Sequence, residues 1–337
     1  MTLVLLTGIS GFIAKHCAVK LLNAGYTLRG SLRRLDRADE VRSALRPALT
    51  TPAALERLSF VALDLEADTG WDQAMAGVDA LMHTASPFPI AAPKVPDDLI
   101  RPAVEGTRRA IGAAKAAGIR RVVLTSSSAA IIHDGKAGAL DEGDWCDVDA
   151  PQTSAYSRSK TLAERAAWEM VTDGDTALTV INPGFVLGPP LDAHYGSSVS
   201  VVRRLLKGRD PMLPSLGFPV VDVRDVAEMH LRALQRPETA GKRYIAAAGS
   251  MLMVEMGRVL QAAYPVLRIP TRQAPDFLIR IIALWDKDVR AILPSLGHMP
   301  QMSNLRAVTD MGMVFIAPDA ALRAAAEVLV KSGEIRV

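Results

Sequence analysis

Short apolar runs alternate with longer segments in which apolar residues recur every three or four positions, over about the first 185 residues. The short runs are typical of buried strands, and the longer spacing is typical of amphipathic helices. The predicted strands lie at residues 3–7, 26–33, 58–64, 78–85, 119–127 and 176–183. This alternation predicts a parallel sheet covered by helices on both faces, with ligands bound at the carboxyl ends of its strands.

The pattern changes after about residue 185, where loops rich in proline and glycine separate helices that follow no strand-helix-strand order. A chain of 337 residues also exceeds the size at which one core usually stops growing. We therefore predict an α/β fold, a Rossmann-like doubly wound parallel sheet with a smaller, mixed C-terminal lobe. Residues 1–185 form the sheet domain, elements return to it from about 218–250, and 186–337 form mainly the second, substrate-binding lobe.

Charge and cysteine content exclude several classes of protein. The 39 basic residues nearly balance 36 acidic ones, so the net charge of +3 gives no support for a nucleic-acid or membrane partner. Cys17 and Cys146 lie far apart and outside any metal-ligand spacing, which argues against a disulfide framework or a metal site. No segment approaches the roughly 18 apolar residues of a membrane span. We expect a cytoplasmic monomer or homodimer.

The strongest local signal is TGISGFIA at residues 7–14, where two glycines follow the first predicted strand and open a helix. Gly8 allows a tight turn, Gly11 lets the backbone approach a pyrophosphate, and Ala14 is small enough for close packing. The N–H groups at the helix start then face an anion. A plain turn is the alternative. The predicted dinucleotide contacts here are Thr7, Gly8, Ser10, Gly11, Phe12 and Ile13.

The end of the second strand indicates which dinucleotide would bind. The stretch GSLRRLDRADE places Arg33, Arg34 and Arg37 there, with no acidic residue at the strand end itself. A guanidinium suits a 2′-phosphate, whereas an acidic residue suits a free 2′-hydroxyl. The sequence therefore favours NADP(H), although Asp36 leaves room for NAD(H) and the arginines could form a solvated surface cluster.

Six ordered motifs together resemble a known family. They are TGISGFIA, HTASPF at 83–88, TSSSAA at 125–130, YSRSK at 156–160, NPGFVLGPP at 182–190 and DVRDVA at 222–227. The chain resembles the extended short-chain dehydrogenase/reductases from residue 3 to about 250. Within them it is most similar to the dihydroflavonol reductase, cinnamoyl-CoA reductase and methylglyoxal/isovaleraldehyde reductase branch. This resemblance implies a Rossmann-like domain, NADP(H), and carbonyl reduction by a Ser/Tyr/Lys set.

A tyrosine and a lysine four positions apart also occur by chance, but the resemblance gives Tyr156 and Lys160 a chemical role. Four positions apart on a helix, the two side chains face the same way, so the ammonium is expected to lower the pKa of the phenol. Tyr156 would donate a proton to the carbonyl oxygen, and Lys160 would also bond the nicotinamide ribose. Ser127 would hold the carbonyl oxygen, with Ser128 as the alternative in the triple serine.

Other positions are assigned by the same resemblance. Asp64 and Leu65 stand where the adenine would lie, although Asp64 could instead cap a helix. We interpret His83 as a core residue that ends the fourth strand. The residues expected to line the cofactor further along are Thr84, Ala85, Ser86, Pro183 and Val186. The apolar substrate contacts are predicted at Phe88, Ile131, Gly184 and Phe185.

The predicted function is NADPH-dependent reduction of a small-molecule aldehyde or ketone. A CoA thioester is disfavoured because TSAYSRSK stands where cinnamoyl-CoA reductases carry their Asn-Trp-Tyr-Cys-Tyr signature. One alternative is a nucleotide-sugar epimerase or dehydratase, with Arg203, Arg204, Lys207 and Arg209 as diphosphate ligands rather than as a solvated helix face. Another is a non-catalytic NADPH-sensing regulator, which would have no use for a tuned phenol.

Overall fold

A computed structural model describes residues 2–86, 95–133 and 138–335, which contain ten strands and twelve α-helices. The strands are β1 (Leu3–Thr7), β2 (Thr27–Leu32), β3 (Leu58–Ala62), β4 (Ala80–His83), β5 (Arg121–Thr125), β6 (Ala177–Pro183), β7 (Phe185–Leu187), β8 (Gly217–Asp222), β9 (Lys242–Ala246) and β10 (Gly249–Leu252). The helices are α1 (Phe12–Asn23), α2 (Ala38–Leu45), α3 (Trp71–Met75), α4 (Asp97–Ala116), α5 (Ala155–Met170), α6 (Ser197–Leu206), α7 (Val223–Gln235), α8 (Met253–Ala263), α9 (Asp276–Ile282), α10 (Lys287–Ile292), α11 (Leu305–Met311) and α12 (Pro318–Lys331).

Seven of the described strands form one parallel sheet in the order β3-β2-β1-β4-β5-β6-β9. The six predicted strands are β1 to β6, trimmed by up to two residues at their ends. The strand order reverses between β1 and β4, which opens a crevice at their carboxyl ends where ligands of such folds bind. The predicted Rossmann-like class is confirmed.

Alternate side chains of each central strand enter two separate cores. Val4 and Leu6 of β1 belong to the core under α1, whereas Leu5 belongs to the core under α4 and α5. Strands buried on both faces read as continuous apolar runs, which explains the LVLLT pattern. The sheet is thus held rigidly from both sides, and its strand ends carry the polar residues.

A second, smaller sheet begins where the chain leaves the first one. In it, β8 pairs parallel with β7 and antiparallel with β10. The chain passes from β6 to β7 at Gly184, where a β-carbon would lie 2.2 Å from the carbonyl oxygen of Pro219. Only glycine allows this close approach of two backbones. Helix α12 packs on β8 and on α8 to cover this sheet.

The helices of the described residues differ from membrane spans in length or in polarity. None of them is both long enough and apolar enough to cross a bilayer.

Candidate active site

Three side chains predicted to be catalytic meet at the carboxyl ends of β5 and β6. Ser127 is the second residue after β5, and its Oγ accepts a hydrogen bond of 3.1 Å from Ala129 N. Tyr156 lies in the first turn of α5, which starts there because the Ser154 side chain caps Ser157 N. The Tyr156 hydroxyl donates to Ser127 Oγ across 3.4 Å. Lys160 Nζ lies one turn further on, 5.8 Å from the centroid of the Tyr156 ring.

The three consecutive serines have different surroundings. Ser126 Oγ donates a hydrogen bond of 2.5 Å to the buried Glu164 carboxylate. Ser128 is buried at the start of a 3-10 turn. In the part of the chain that the structure describes, Ser127 is the serine whose hydroxyl meets Tyr156. The geometry therefore favours Ser127 over Ser128 for contact with a substrate oxygen.

Burial dominates the electrostatics of the pair on α5. It lowers the pKa of Lys160 to about 8, an effect that the nearby Glu164 carboxylate opposes. Burial also raises the pKa of Tyr156, opposed by the hydrogen bond with Ser127. The pKa of Tyr156 in the protein alone is therefore shifted upward, opposite to the direction predicted from its spacing with Lys160. The ammonium lies beside the ring, and the phenol stays protonated at neutral pH.

The turn after β1 has the shape needed for a pyrophosphate. Gly8 has φ of +66°, in the left-handed region, and its carbonyl accepts a hydrogen bond of 2.9 Å from Gly11 N. Gly11 is the N-cap of α1 and has no side chain to occupy the helix start. The first helical turn, FIAK, contains no acidic residue. The N–H groups of this turn, which follow Ser10 in the chain, can therefore bind an anion.

The three arginines after β2 differ in how firmly they are paired. Arg34 makes bonds of 2.6 and 3.2 Å to Asp36, and Arg37 makes bonds of 2.8 and 3.0 Å to Glu40. Arg33 is 63% exposed, and its Nε lies 3.9 Å from Asp64 Oδ1. Its guanidinium is thus the least engaged of the three, which fits it to meet a phosphate at the strand end.

Asp64 and Leu65, predicted to lie near an adenine, follow β3 at its carboxyl end. Asp64 Oδ1 accepts a hydrogen bond of 3.1 Å from Glu66 N, so it closes a turn and does not cap a helix. Leu65 is buried in the core under α4, where Gly106 makes room for it. Its side chain is therefore part of the core, and its backbone is what could face an adenine.

Thr7 joins the ends of β1 and β4. Its Oγ1 accepts hydrogen bonds of 3.1 Å from the backbone nitrogens of Thr84 and Ala85, and it lies 2.8 Å from His83 Nδ1. Thr84 Oγ1 in turn donates to Thr7 O across 2.6 Å. His83 is buried, which lowers its pKa to about 3 and keeps the ring neutral. The cluster, with half-buried Ser86 beyond it, shapes the crevice beside Gly8.

The passage from β6 to β7 forms an apolar wall. Pro183 and Val186 are buried on either side of Gly184. Phe185 is half-buried and stacks on Phe218 of β8, with 4.6 Å between the ring centroids. Sequence patterning did not single out Phe218, because its contact with Phe185 depends on strand pairing across 33 residues.

One predicted substrate contact, Ile131, is not part of this wall. Ile131 is fully buried and packs with Leu140, Ile245 and Ala247 in a small core cluster, so its assignment to an open substrate pocket is corrected. An apolar residue shortly after a catalytic serine serves packing just as readily as binding. Phe88 lies outside the described residues.

A buried polar network behind the site was not predicted. Glu164, Asn182 and Arg243 come from α5, β6 and β9, and the Glu164 side chain contacts each of the other two. Glu164 follows Lys160 by four residues, so the sequence places both on one helix face. A charged residue on the helix face that carries Tyr156 and Lys160 was the available signal.

The fold and this arrangement of serine, tyrosine and lysine define an extended short-chain dehydrogenase/reductase. The model of the NAD dependent epimerase/dehydratase family matches residues 4–247, and the chain belongs to this family. The resemblance inferred from the six motifs is thereby confirmed.

Relatives and solved structures agree with this family. The chain is 34% identical over 274 residues to cinnamoyl-CoA reductase 1 of Arabidopsis thaliana, which covers 80% of this chain and 77% of that one. It is 32% identical over 279 residues to dihydroflavonol 4-reductase of Hordeum vulgare, covering 80% and 77%. The structure of yeast methylglyoxal/isovaleraldehyde reductase complexed with NADPH matches with a TM-score of 0.81 and 29% identity, covering 99% and 100%.

Proposed function

We propose that this protein is an NADPH-dependent carbonyl reductase that acts on small aldehydes or ketones. The observation that carries the proposal is the hydrogen bond of 3.4 Å between the Tyr156 hydroxyl and Ser127 Oγ, with Lys160 one helical turn away. The relatives described above are reductases, and the yeast neighbour is complexed with NADPH, which supports the same assignment.

The residues at the crevice fit a phosphorylated dinucleotide. The start of α1 and the turn at Gly8 would hold the pyrophosphate, and Arg33 would pair with the 2′-phosphate. Lys160 would bond the nicotinamide ribose, and the wall around Pro183 would support the ring. When bound, NADPH supplies the hydride.

Tyr156 supplies the proton in this proposal. Its pKa is raised, so it is protonated at neutral pH and serves as an acid toward a carbonyl oxygen. Ser127 Oγ accepts from Ala129 N, which leaves its own proton to donate to the same oxygen once the Tyr156 hydroxyl turns from Ser127 to the carbonyl. The Lys160 ammonium stabilises the phenolate that remains. Together these groups orient the carbonyl and stabilise the negative charge that forms on it.

The substrate in this proposal has an apolar group beside its carbonyl. The stacked Phe185 and Phe218 rings offer an apolar surface next to Gly184. Two of the four cationic groups considered for an epimerase are engaged elsewhere, because Arg203 pairs with Glu334 and Arg204 with Asp210. Apolar pockets discriminate by only about 1–3 kcal/mol per methylene, so several carbonyl substrates are expected.

The test is NADPH oxidation against a panel of aliphatic aldehydes, diketones, aryl ketones, a cinnamoyl-CoA thioester and a UDP-sugar. We expect net oxidation with the aldehydes and ketones, with modest preferences among them. Conversion of the UDP-sugar alone, without net oxidation of NADPH, would instead identify an epimerase. Binding of NADPH without turnover of any compound would identify a sensor.

A further inference from the structure

Glu164 is a carboxylate inside the protein that the chemistry above does not use. It lies on α5, eight residues after Tyr156 and four after Lys160, and its side chain is fully buried. A buried carboxylate is costly unless it is paired and hydrogen-bonded. Because Glu164 lies directly behind the site, its hydrogen bonds connect the elements that carry the site residues.

Each oxygen of Glu164 accepts two hydrogen bonds. Oε2 accepts from Ser126 Oγ at 2.5 Å and from Asn182 Nδ2 at 2.7 Å. Oε1 accepts from Arg243 Nε at 2.6 Å and from Trp168 Nε1 at 3.4 Å. One carboxylate thus ties helix α5 to the ends of β5 and β6 and to the edge strand β9.

These bonds reach Ser127 from both sides. Ser126 is its neighbour in the chain, and Asn182 Nδ2 also donates a hydrogen bond of 3.2 Å to the carbonyl oxygen of Ser127. Tyr156 lies on the same helix as Glu164, two turns earlier. The separation of Tyr156 OH and Ser127 Oγ therefore depends on how Glu164 fixes α5 against the strand ends. Displacements of about 1 Å in such groups can reduce rates by roughly a hundredfold.

We propose that Glu164 is a positioning residue, which sets Ser127 opposite Tyr156 and places a negative charge one helical turn from Lys160. This rests on the carbonyl-reductase function proposed above. The two effects are separable, since the first depends on two acceptor oxygens at the reach of a glutamate side chain and the second on its negative charge.

The charge acts on the proton of Lys160. Burial lowers the pKa of Lys160 to about 8, and Glu164 opposes that lowering. Within the described residues, Lys160 also faces Tyr156, protonated on the same helix, and His83 on β4, which burial keeps neutral. Replacing Glu164 by glutamine removes the opposing charge and leaves the Arg243 cation unbalanced. Both changes lower the pKa of Lys160 further, so the ammonium is lost at a lower pH.

Arg243 provides the matched control. It is the other half of the buried ion pair, and its guanidinium also lies over the Trp145 ring, 3.8 Å from the centroid, and bonds the carbonyl oxygens of Glu142 and Asp144. In the described structure the Arg243 side chain donates to Glu164 and to those two carbonyl oxygens, and not to Ser126 or Asn182. Arg243→Gln thus breaks the same ion pair while leaving the bonds of Glu164 to both strand ends.

The experiment measures kcat and KM against pH, with NADPH and the best aldehyde of the panel. The proteins are the parent, Glu164→Gln, Glu164→Asp, Arg243→Gln and the double variant Glu164→Gln/Arg243→Gln, which removes both buried charges and so protects against failure to fold. In Glu164→Gln and in the double variant we expect kcat to fall by about 10- to 100-fold, with KM for NADPH within a few fold. In Glu164→Gln the alkaline limb should move to lower pH by roughly one unit. Glu164→Asp keeps the charge but has a shorter side chain. We therefore expect the alkaline limb of its pH profile to be unchanged while kcat falls.

A second measurement needs neither cofactor nor turnover. The Lys160 ammonium is titrated by NMR in the ¹³C-lysine-labelled protein without cofactor, with Lys160→Met to assign the signal. We expect a lower midpoint in Glu164→Gln than in the parent. An active parent, with Glu164→Gln and Arg243→Gln alike in kcat and pH profile, overturns the positioning role. A parent inactive on every carbonyl compound overturns the reductase function, and an unchanged Lys160 midpoint then overturns the inference separately.

Discussion

Gly8 lies directly against Ala85. A β-carbon built on Gly8 would be 2.8 Å from the β-carbon of Ala85, and the backbone of Gly8 is left-handed with φ of +66°. The contact joins the turn after β1 to the chain after β4, at the point where the strand order reverses. The crevice for the dinucleotide is therefore bounded by a position where any side chain would both clash and strain the backbone.

Gly8→Ala should lose more stability than backbone strain alone explains. The left-handed conformation costs roughly 1–2 kcal/mol for a residue with a β-carbon, and the clash with Ala85 adds to it. Gly25→Ala is the control, because φ is +88° there and no heavy atom of the described structure lies within 4 Å of the added carbon. Urea denaturation and NADPH titration compare the two. Equal losses in both variants would show that the contact with Ala85 is harmless.

Tyr156→Phe should retain NADPH binding and lose turnover, because the ring remains and the proton donor is removed. General acid catalysis contributes about 10²–10⁴-fold, so kcat should fall at least a hundredfold. Tyr26→Phe is the matched control, since Tyr26 directly precedes β2, at the amino ends of the parallel strands, opposite to the site. The measurements are cofactor fluorescence titration and steady-state kinetics. Activity within a few fold of the parent would assign the proton to another group.

Arg33→Asp should reverse the preference for NADPH over NADH. Charge-assisted hydrogen bonds contribute about 1.5–3 kcal/mol, which corresponds to roughly ten- to a hundredfold in kcat/KM. A carboxylate repels the 2′-phosphate and accepts bonds from a free ribose hydroxyl. Arg46→Asp makes the same charge change at an exposed arginine away from the strand end. Both cofactors are compared at one ionic strength, since exposed phosphate contacts weaken with salt. An unchanged ratio in Arg33→Asp would show that this side chain does not meet the phosphate.

Asp225→Asn should stabilise the protein in a pH-dependent way. Burial raises the pKa of Asp225 to about 6, opposed by its hydrogen bond from Ile316 N and reinforced by Asp222, with Arg224 and Lys20 acting to lower it. The folded state thus binds more protons than the unfolded one between about pH 4 and 6, and the carboxylate costs stability above that window.

The asparagine keeps an acceptor oxygen for Ile316 N and carries no charge. We expect a gain of about 1–2 kcal/mol at pH 8 that shrinks below pH 6 and vanishes near pH 4. Asp319→Asn, at a half-exposed position, controls for the loss of one negative charge. Denaturation at pH 4 and pH 8 decides, because a gain of equal size at both values would exclude titration of Asp225 as its source.

Local pattern predicted the parts of the fold that local physics determines. Strands β1 to β6 could be predicted from continuous apolar runs, because both faces of a central parallel strand are apolar. The turn at Gly8 and the pair Tyr156/Lys160 were readable for a similar reason, since each depends on a spacing within one turn or one helix. The geometry from Tyr156 to Ser127 joins positions 29 residues apart, and the motifs of the family located it.

The features that were missed depend on contacts between distant parts of the chain. Ile131 was assigned to the substrate, yet it packs against Ile245, and that partner is placed only when β9 joins the sheet. The partners of Glu164 include Arg243, 79 residues further along. The raised pKa of Tyr156 followed from burial, whereas the spacing with Lys160 had suggested the opposite direction. Burial is a property of the assembled fold, and a spacing between two residues does not report it.

The position of β9 bears on how the protein is made. A ribosome that has synthesised residues 1–185 has delivered β1 to β6 together with Ser127, Tyr156 and Lys160, but not Arg243. In such a nascent chain the Glu164 carboxylate has no cationic partner, and docking α5 onto the sheet would bury an unpaired charge. The predicted catalytic face is therefore expected to gain its buried cation only after β9 has left the exit tunnel. Transplanting residues 1–185 without the edge strand would leave the Glu164 carboxylate without that partner.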